Sequence, residues 1–239
     1  MTVEMLMYGK SPAGYAADEN ITIEEAEAKF ADYFKGKPLI KKAIDEAQEF
    51  VKKNSYIEMP ISGFQRKLAG IKSTSYSEQQ KALRQGFNSV IQGGSAAIST
   101  KALILVNKWL KHSELNARVM VTVHDSITIS TTKEDAYKVA VGTKYIMEHL
   151  PIPELQFEYN GKLVTDFMQA QPGFGATYGF EAEVDPEEFA SFNSTKGFYQ
   201  YYFAKKQLGD NLDSKLITED YYAQEIKKLE DSKPMYLAM

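Results

Sequence analysis

The feature that most constrains the fold of this 239-residue chain is an alternating apolar and polar run at residues 121–129, with His124 and Asp125 at its middle. Alternation with a period of two predicts two short strands that bury one face. The central pair then lies at the bend between the strands, where a carboxylate is held rigidly and still reaches solvent. A metal-dependent active site requires this arrangement, although an Asp that accepts hydrogen bonds from turn amides is the structural alternative.

Composition and geometry narrow the chemistry that this segment can perform. A Ser-His-Asp triad is excluded for His124, Asp125 and Ser126, because adjacent strand residues point to opposite faces and triad members come from separated positions. The chain has no cysteine, which excludes disulfides, Cys-ligated zinc and a thiol nucleophile. The net charge is −4, but the acidity is concentrated at residues 181–188 and 218–231 while residues 101–111 lean basic. A local phosphate-binding surface is therefore compatible with the overall charge.

The N-terminal residues lack a basic segment, so no signal peptide is predicted. No apolar run appears long enough to span a bilayer. Together with the lack of cysteine, these observations suit a reducing cytosol, and we expect a cytoplasmic protein with no membrane partner.

Periodicity and capping residues predict the order of the elements. Ser11 before Pro12 predicts one helix start, and Thr22 with Glu25 forms a capping-box pattern for a second helix. A helix is predicted from about Ser77 to about Lys111, followed by a hairpin at residues 118–130 and a further helix from Thr132. Residues 172–179 are predicted to be a turn-rich loop, and the aromatic segment from residue 186 onwards is predicted to be helical.

The long predicted helix carries a polar row that can contact nucleic acid. Arg84, Asn88 and Gln92 are spaced by four residues and therefore share one helix face. Guanidinium and amide groups hydrogen-bond the minor-groove acceptors that every base pair presents. A solvated polar stripe is the alternative. Gly93 and its small neighbours permit close packing, and equally suit a buried helix.

These segments resemble the C-terminal part of family A DNA polymerases, the DNA polymerase I-like group. The family carries a Val-His-Asp-Glu turn in its palm, and this chain has Val123, His124, Asp125 and Ser126. The resemblance implies that Asp125 binds metal and is catalytic, and that His124 lies beside the primer terminus. Ser126 replaces the final acidic residue of the motif, which is the less critical carboxylate of the pair.

The resemblance extends to two other segments. The family has an Arg-x-x-x-Asn-x-x-x-Gln-Gly helix before that turn, which Arg84, Asn88, Gln92 and Gly93 reproduce, and this implies DNA binding. Residues 8–16 resemble the family's Tyr-Gly-x-Ser-x-x-Gly-x-Ala at the end of the fingers helix. The implied role of Tyr8 and Gly9 is nucleotide and template binding, whereas a core tyrosine before a turn is the alternative.

Several family motifs have no counterpart in these residues. The Arg and Lys that grip the triphosphate, the Asp-Tyr-Ser motif that supplies the first catalytic carboxylate, the thumb and an exonuclease domain are all missing. The resemblance therefore implies a phage-type polymerase that is split or truncated. It implies primer-template DNA, dNTP and an N-terminal polymerase polypeptide as partners, and two-metal catalysis with Mg²⁺. The alternative is a non-catalytic DNA-binding or inert fragment, and catalysis by this chain alone is not expected.

We therefore expect an α+β fold. A helical fingers part is expected at residues 1–72, and a palm part with the polar helix and the His-Asp hairpin at residues 73–161. A helical extension of unknown role is expected at residues 162–239. The hairpin should belong to an antiparallel palm sheet whose other strands lie in a separate polypeptide, with the long helix packed on it.

Overall fold

The computed structural model describes residues 11–164, 168–177 and 180–239. The fold is α+β, as predicted, with helices and four separate two-stranded antiparallel sheets in the described residues. The chain divides into two compact units, residues 1–100 and 101–239.

The first unit begins with three helices whose starts follow from their capping residues. They are α1 (Pro12–Glu19), α2 (Ile23–Lys35) and α3 (Pro38–Asn54). The Ser11 side chain accepts a hydrogen bond from the Gly14 amide, and the predicted capping box between Thr22 and Glu25 is present in full. These side chains satisfy amides that the first helical turn leaves without partners.

A small hairpin connects these helices to the long helix α4 (Tyr76–His112). Its strands are β1 (Tyr56–Glu58) and β2 (Gln65–Lys67), followed by a 3₁₀ turn at Ala69–Lys72. Gly86 on α4 lies against Val51 of α3, where an added Cβ would come within 2.6 Å of Val51 Cγ2. Close packing therefore explains this glycine in the middle of a helix.

The length and composition of α4 correct one expectation. Within the described residues, α4 is by its length and composition long and apolar enough to cross a membrane. The prediction that no apolar run is long enough to span a bilayer was therefore wrong. This criterion is weak evidence for a membrane location, because core helices of globular proteins also meet it.

The second unit contains the hairpin that the alternating run predicts. Its strands are β3 (Ala117–Val123) and β4 (Ser126–Thr131), followed by α5 (Lys133–Glu148). Val119, Ile127 and Ile129 pack against a buried cluster of Val106, Leu110 and Val139. The C-terminal end of α4 and the helix α5 therefore support the hairpin on its apolar face.

The chain continues through a 3₁₀ turn at Pro153–Leu155 and a hairpin of β5 (Phe157–Tyr159) and β6 (Lys162–Val164). The remaining elements, which we call the C-terminal module, are β7 (Gly173–Thr177), β8 (Phe180–Glu183), α6 (Pro186–Ser191), α7 (Thr195–Asp213) and α8 (Glu219–Ala238). Its core is aromatic, and it packs on Ala136 of α5. Phe198, Tyr201 and Tyr202 are buried in that core.

The loop prediction for residues 172–179 was wrong, since Gly173–Thr177 forms the strand β7. Phe174 is buried, and its ring stacks on Phe189 at a centroid distance of 4.2 Å. Gly175 lies so close to the partner strand that a Cβ would clash with the carbonyl oxygen of Phe180. Tertiary packing, which favours an extended segment here, overrides the local preference of glycine and proline for turns.

Candidate active site and nucleic-acid interface

The His-Asp pair lies at the tip of the β3–β4 hairpin. Val123 pairs with Ser126, so His124 and Asp125 form a two-residue connection between the strands. His124 has a left-handed backbone with φ of 53°, which matches the twist that such tight turns require. The Ser126 hydroxyl donates a hydrogen bond of 2.9 Å to the Val123 carbonyl and closes the turn. The backbone of the tip is therefore well determined by local contacts.

The Asp125 carboxylate is exposed and has no hydrogen bond or ion pair with any of the described residues. No turn amide donates to it, so the structural alternative of an Asp that caps its own turn does not describe this residue. His124 is also exposed. A rigid hairpin tip therefore presents a charged carboxylate that is available to a group outside these residues.

The donor set for a metal ion is incomplete within the described ranges. No group of three or more His, Asp or Glu side chains there could hold a metal ion. Mg²⁺ keeps several of its waters and needs one or two protein carboxylates. Asp125 fits the role of one such ligand, and a second carboxylate has to come from elsewhere.

The polar row of Arg84, Asn88 and Gln92 lies on α4, in the first unit. Arg84 and Asn88 are half-buried and Gln92 is exposed. The Asn88 Oδ1 atom is buried and has no hydrogen-bond partner among the described residues. A buried acceptor without a partner is uncommon in folded proteins. Gly93 follows the row, and Met59 packs directly against it.

Tyr8 and Gly9, the predicted nucleotide-binding and template-binding residues, lie outside the described residues. The sequence did not predict one contact beside the polar row. Arg66 donates a hydrogen bond to Ser89, which follows Asn88 in the sequence. No sequence pattern signals this contact, because it depends on how the β1–β2 hairpin docks on α4.

Other carboxylates of the second unit are engaged within the C-terminal module. Glu188 accepts hydrogen bonds from Tyr202 and Lys233, and Glu230 accepts them from Tyr201 and Lys205. Burial raises the pKa of Glu188, but the bonds from Lys233 and Tyr202 outweigh it and hold that pKa below its usual value. These carboxylates stabilise the fold.

Known proteins include related sequences and a similar structure. A family model for DNA polymerase family A matches residues 5–165. The chain is 34% identical over 193 residues to a DNA polymerase of Bacillus phage SP01, an alignment that covers 77% of this chain and 20% of that protein. It is 30% identical over 143 residues to DNA polymerase I of Bacillus caldotenax, which covers 60% of this chain and 16% of that protein.

A solved structure is similar as well. The polymerase domain of Pol1 from M. smegmatis, in complex with a DNA primer-template and dNTP, matches with a TM-score of 0.57 and 25% identity. The match covers 61% of this chain and 25% of that one. The chain thus spans about a fifth of the length of the curated relatives it matches. Because the family model matches more than half of its residues, the chain belongs to DNA polymerase family A.

Proposed function

We propose that this chain forms the fingers and palm portion of a DNA-directed DNA polymerase, which adds dNTPs to a primer 3′ end. Residues 1–72 would belong to the fingers and residues 73–161 to the palm. The observation that carries the proposal is the exposed Asp125 carboxylate, which lies without a partner at a rigid hairpin tip in a family A chain.

Asp125 is proposed to hold a divalent cation, Mg²⁺, together with a carboxylate from another part of the polymerase. A pair of such ions activates the attacking primer oxygen and stabilises the leaving group. The contribution of this chain is the fixed position of one carboxylate. His124, next to it in the turn, is proposed to flank the primer terminus.

The polar row is proposed to track the minor groove of the primer-template. The side chains of Arg84 and Gln92 have no hydrogen bond or ion pair with a described residue, so their N–H donors are available to base-edge acceptors. Such acceptors occur at every base pair, which suits contact without sequence preference.

The remaining palm strands are proposed to dock on the β3–β4 hairpin. Within the described residues this sheet has two strands, so both of its edges lack a neighbouring strand. Met120, Val121 and Val123 on β3 are exposed at 54%, 39% and 42%. Exposed apolar side chains on an unpaired edge favour association with further strands. The partner is therefore polymerase sequence that includes the Asp-Tyr-Ser motif, whether it is in the same polypeptide or a separate one.

Primer extension tests the proposal. The chain would be assayed alone and then together with the remaining polymerase sequence, with Mg²⁺, dNTPs and a labelled primer-template. Extension only by the complete assembly is the expected result. DNA binding without extension by a correctly associated assembly would favour the second candidate function, a non-catalytic DNA-binding fragment.

A further inference from the structure

A second row of residues lies on α4 directly beside the polar row. Gln85, Ser89 and Gly93 have the same four-residue spacing as Arg84, Asn88 and Gln92, and each follows one of them in the sequence. Successive residues of an α-helix are about 100° apart around its axis. The second row therefore lies about 100° around the helix axis from the polar row.

The β1–β2 hairpin contacts this second row through a hydrogen bond to Ser89, which in turn bonds to Gln85. Arg66 Nη1 on β2 donates to Ser89 Oγ at 2.9 Å, and Ser89 Oγ donates to the Gln85 carbonyl at 2.5 Å. Ser89 is only 1% exposed, so the contact is protected from water on the helix side. A charged donor makes a stronger hydrogen bond than a neutral one.

The third position of the second row is held by packing. Met59 follows β1 and lies against Gly93, where an added Cβ would come within 2.2 Å of Met59 Sδ. The Met59 amide donates to the Phe64 carbonyl at 2.8 Å, which ties Met59 to the other side of the hairpin. The hairpin thus contacts α4 at two successive turns.

We propose that Arg66 is a positioning residue that fixes the rotation of α4, so that Arg84, Asn88 and Gln92 face the DNA. This inference rests on the proposed function of the polar row. Because a helix is stiff, holding the second row determines where the first row points. Arg66 does not need to touch DNA for this role.

The contact is separable from the core of the first unit. One buried cluster of this unit consists of Val51, Ile57, Leu68, Ala82 and Leu83. Arg66 is the strand partner of Ile57, but its guanidinium bonds to Ser89 on α4. Arg66 is exposed, and Ser89 keeps its bond to the Gln85 carbonyl when Arg66 is removed. Removing the guanidinium should therefore change the position of the row more than the stability of the fold.

The test compares Arg66→Met with Lys67→Met in the complete polymerase. Lys67 is the next residue on β2 and is exposed. Its side chain has no hydrogen bond or ion pair with a described residue, so it controls for loss of one positive charge. Arg66→Met should raise KM for primer-template about fivefold, with kcat changed less than about twofold. Arg66→Lys should recover part of the loss, and thermal denaturation should report similar melting temperatures for all variants.

Equal KM values for Arg66→Met and Lys67→Met would overturn the inference. DNA affinity is measured by fluorescence anisotropy with the same primer-template. It distinguishes a failure of the Arg66 inference from a failure of the proposed polymerase function. If the wild-type assembly binds DNA without extending it, the polymerase proposal fails, while the affinity of Arg66→Met still decides the inference. If the wild-type assembly neither binds nor extends, both are overturned.

Discussion

Two regions of the molecule use carboxylates in opposite ways. At the β3–β4 hairpin tip, Asp125 is exposed and has no partner among the described residues. In the C-terminal module, Glu188 and Glu230 each accept hydrogen bonds from one tyrosine and one lysine. Glu188 and Glu230 therefore have donors inside the module, whereas Asp125 presents its carboxylate to its surroundings.

The difference shows how a structural carboxylate can be separated from a functional one. A carboxylate with internal donors contributes to the free energy of folding, and its removal leaves those donors without an acceptor. A carboxylate without donors contributes little to folding, so its position needs another cause. Here the cause we propose is a metal ion that also contacts other polymerase residues.

The largest expected effect concerns the hairpin tip. Asp125→Ala should lower the rate of nucleotide addition by the complete polymerase on the order of a thousandfold, because several kcal/mol of charge stabilisation are lost. Single-turnover primer extension measures this rate. The melting temperature should stay unchanged, since the side chain makes no internal contact. Extension at the wild-type rate would remove Asp125 from the site.

The opposite result is expected in the C-terminal module. Glu188→Ala should lower the free energy of unfolding by about 1–3 kcal/mol, because the buried Tyr202 hydroxyl loses its acceptor. Urea denaturation measures this change. Glu183→Ala is the matched control, since the Glu183 side chain is exposed and has no hydrogen bond or ion pair with a described residue. A loss of stability as large in the control would show that the Tyr202 and Lys233 contacts contribute nothing specific.

A smaller effect is expected on the polar row. Gln92→Ala should raise KM for primer-template about fivefold, the equivalent of one hydrogen bond, with little change in the midpoint of unfolding. Gln92 is exposed, so its removal leaves no cavity. Steady-state extension with varied primer-template measures the change. Unchanged kinetics would show that Gln92 belongs to a solvated polar stripe.

The smallest effect is a dependence of stability on pH. Hydrogen bonds from Tyr201 and Lys205 lower the pKa of Glu230, and the pKa of Glu188 is lowered as well. Groups of this kind stabilise the fold above their unfolded pKa, about 4.3 for Glu, and the stabilisation is lost as pH falls through the folded pKa. Urea midpoints should therefore decrease below about pH 4.3. In Glu188→Ala the decrease in urea midpoint should be smaller. An identical decrease would show that the lowered pKa of Glu188 does not contribute to the pH dependence.

Local patterns predicted much of the fold because their causes are local. The capping box of Thr22 and Glu25 needs only the residues of one helical turn, and it is present. The hairpin predicted at residues 118–130 is β3 and β4, since the alternation and the turn agree there, although Val121 and Val123 are exposed. The prediction of helical structure from residue 186 onwards is also confirmed, by α6, α7 and α8.

Contacts between distant segments set the limit of that prediction. Leu39 on α3 is apolar yet 79% exposed, since no described element covers it. The strand at Gly173–Thr177 forms because Phe174 packs on Phe189, which sequence spacing cannot show. The bond between Arg66 and Ser89 joins residues 23 positions apart. The residues of the hairpin tip were identifiable from the motif, while the absence of partners for Asp125 required the structure.

Metal binding at Asp125 tests the central claim most directly. Mn²⁺ binding to the complete polymerase with primer-template and dNTP would be measured by electron paramagnetic resonance, for the wild type and Asp125→Asn. The account predicts that the variant loses affinity for at least one Mn²⁺ ion, with its DNA affinity retained. Equal Mn²⁺ affinity in the two proteins would contradict the claim that the hairpin carboxylate is a metal ligand.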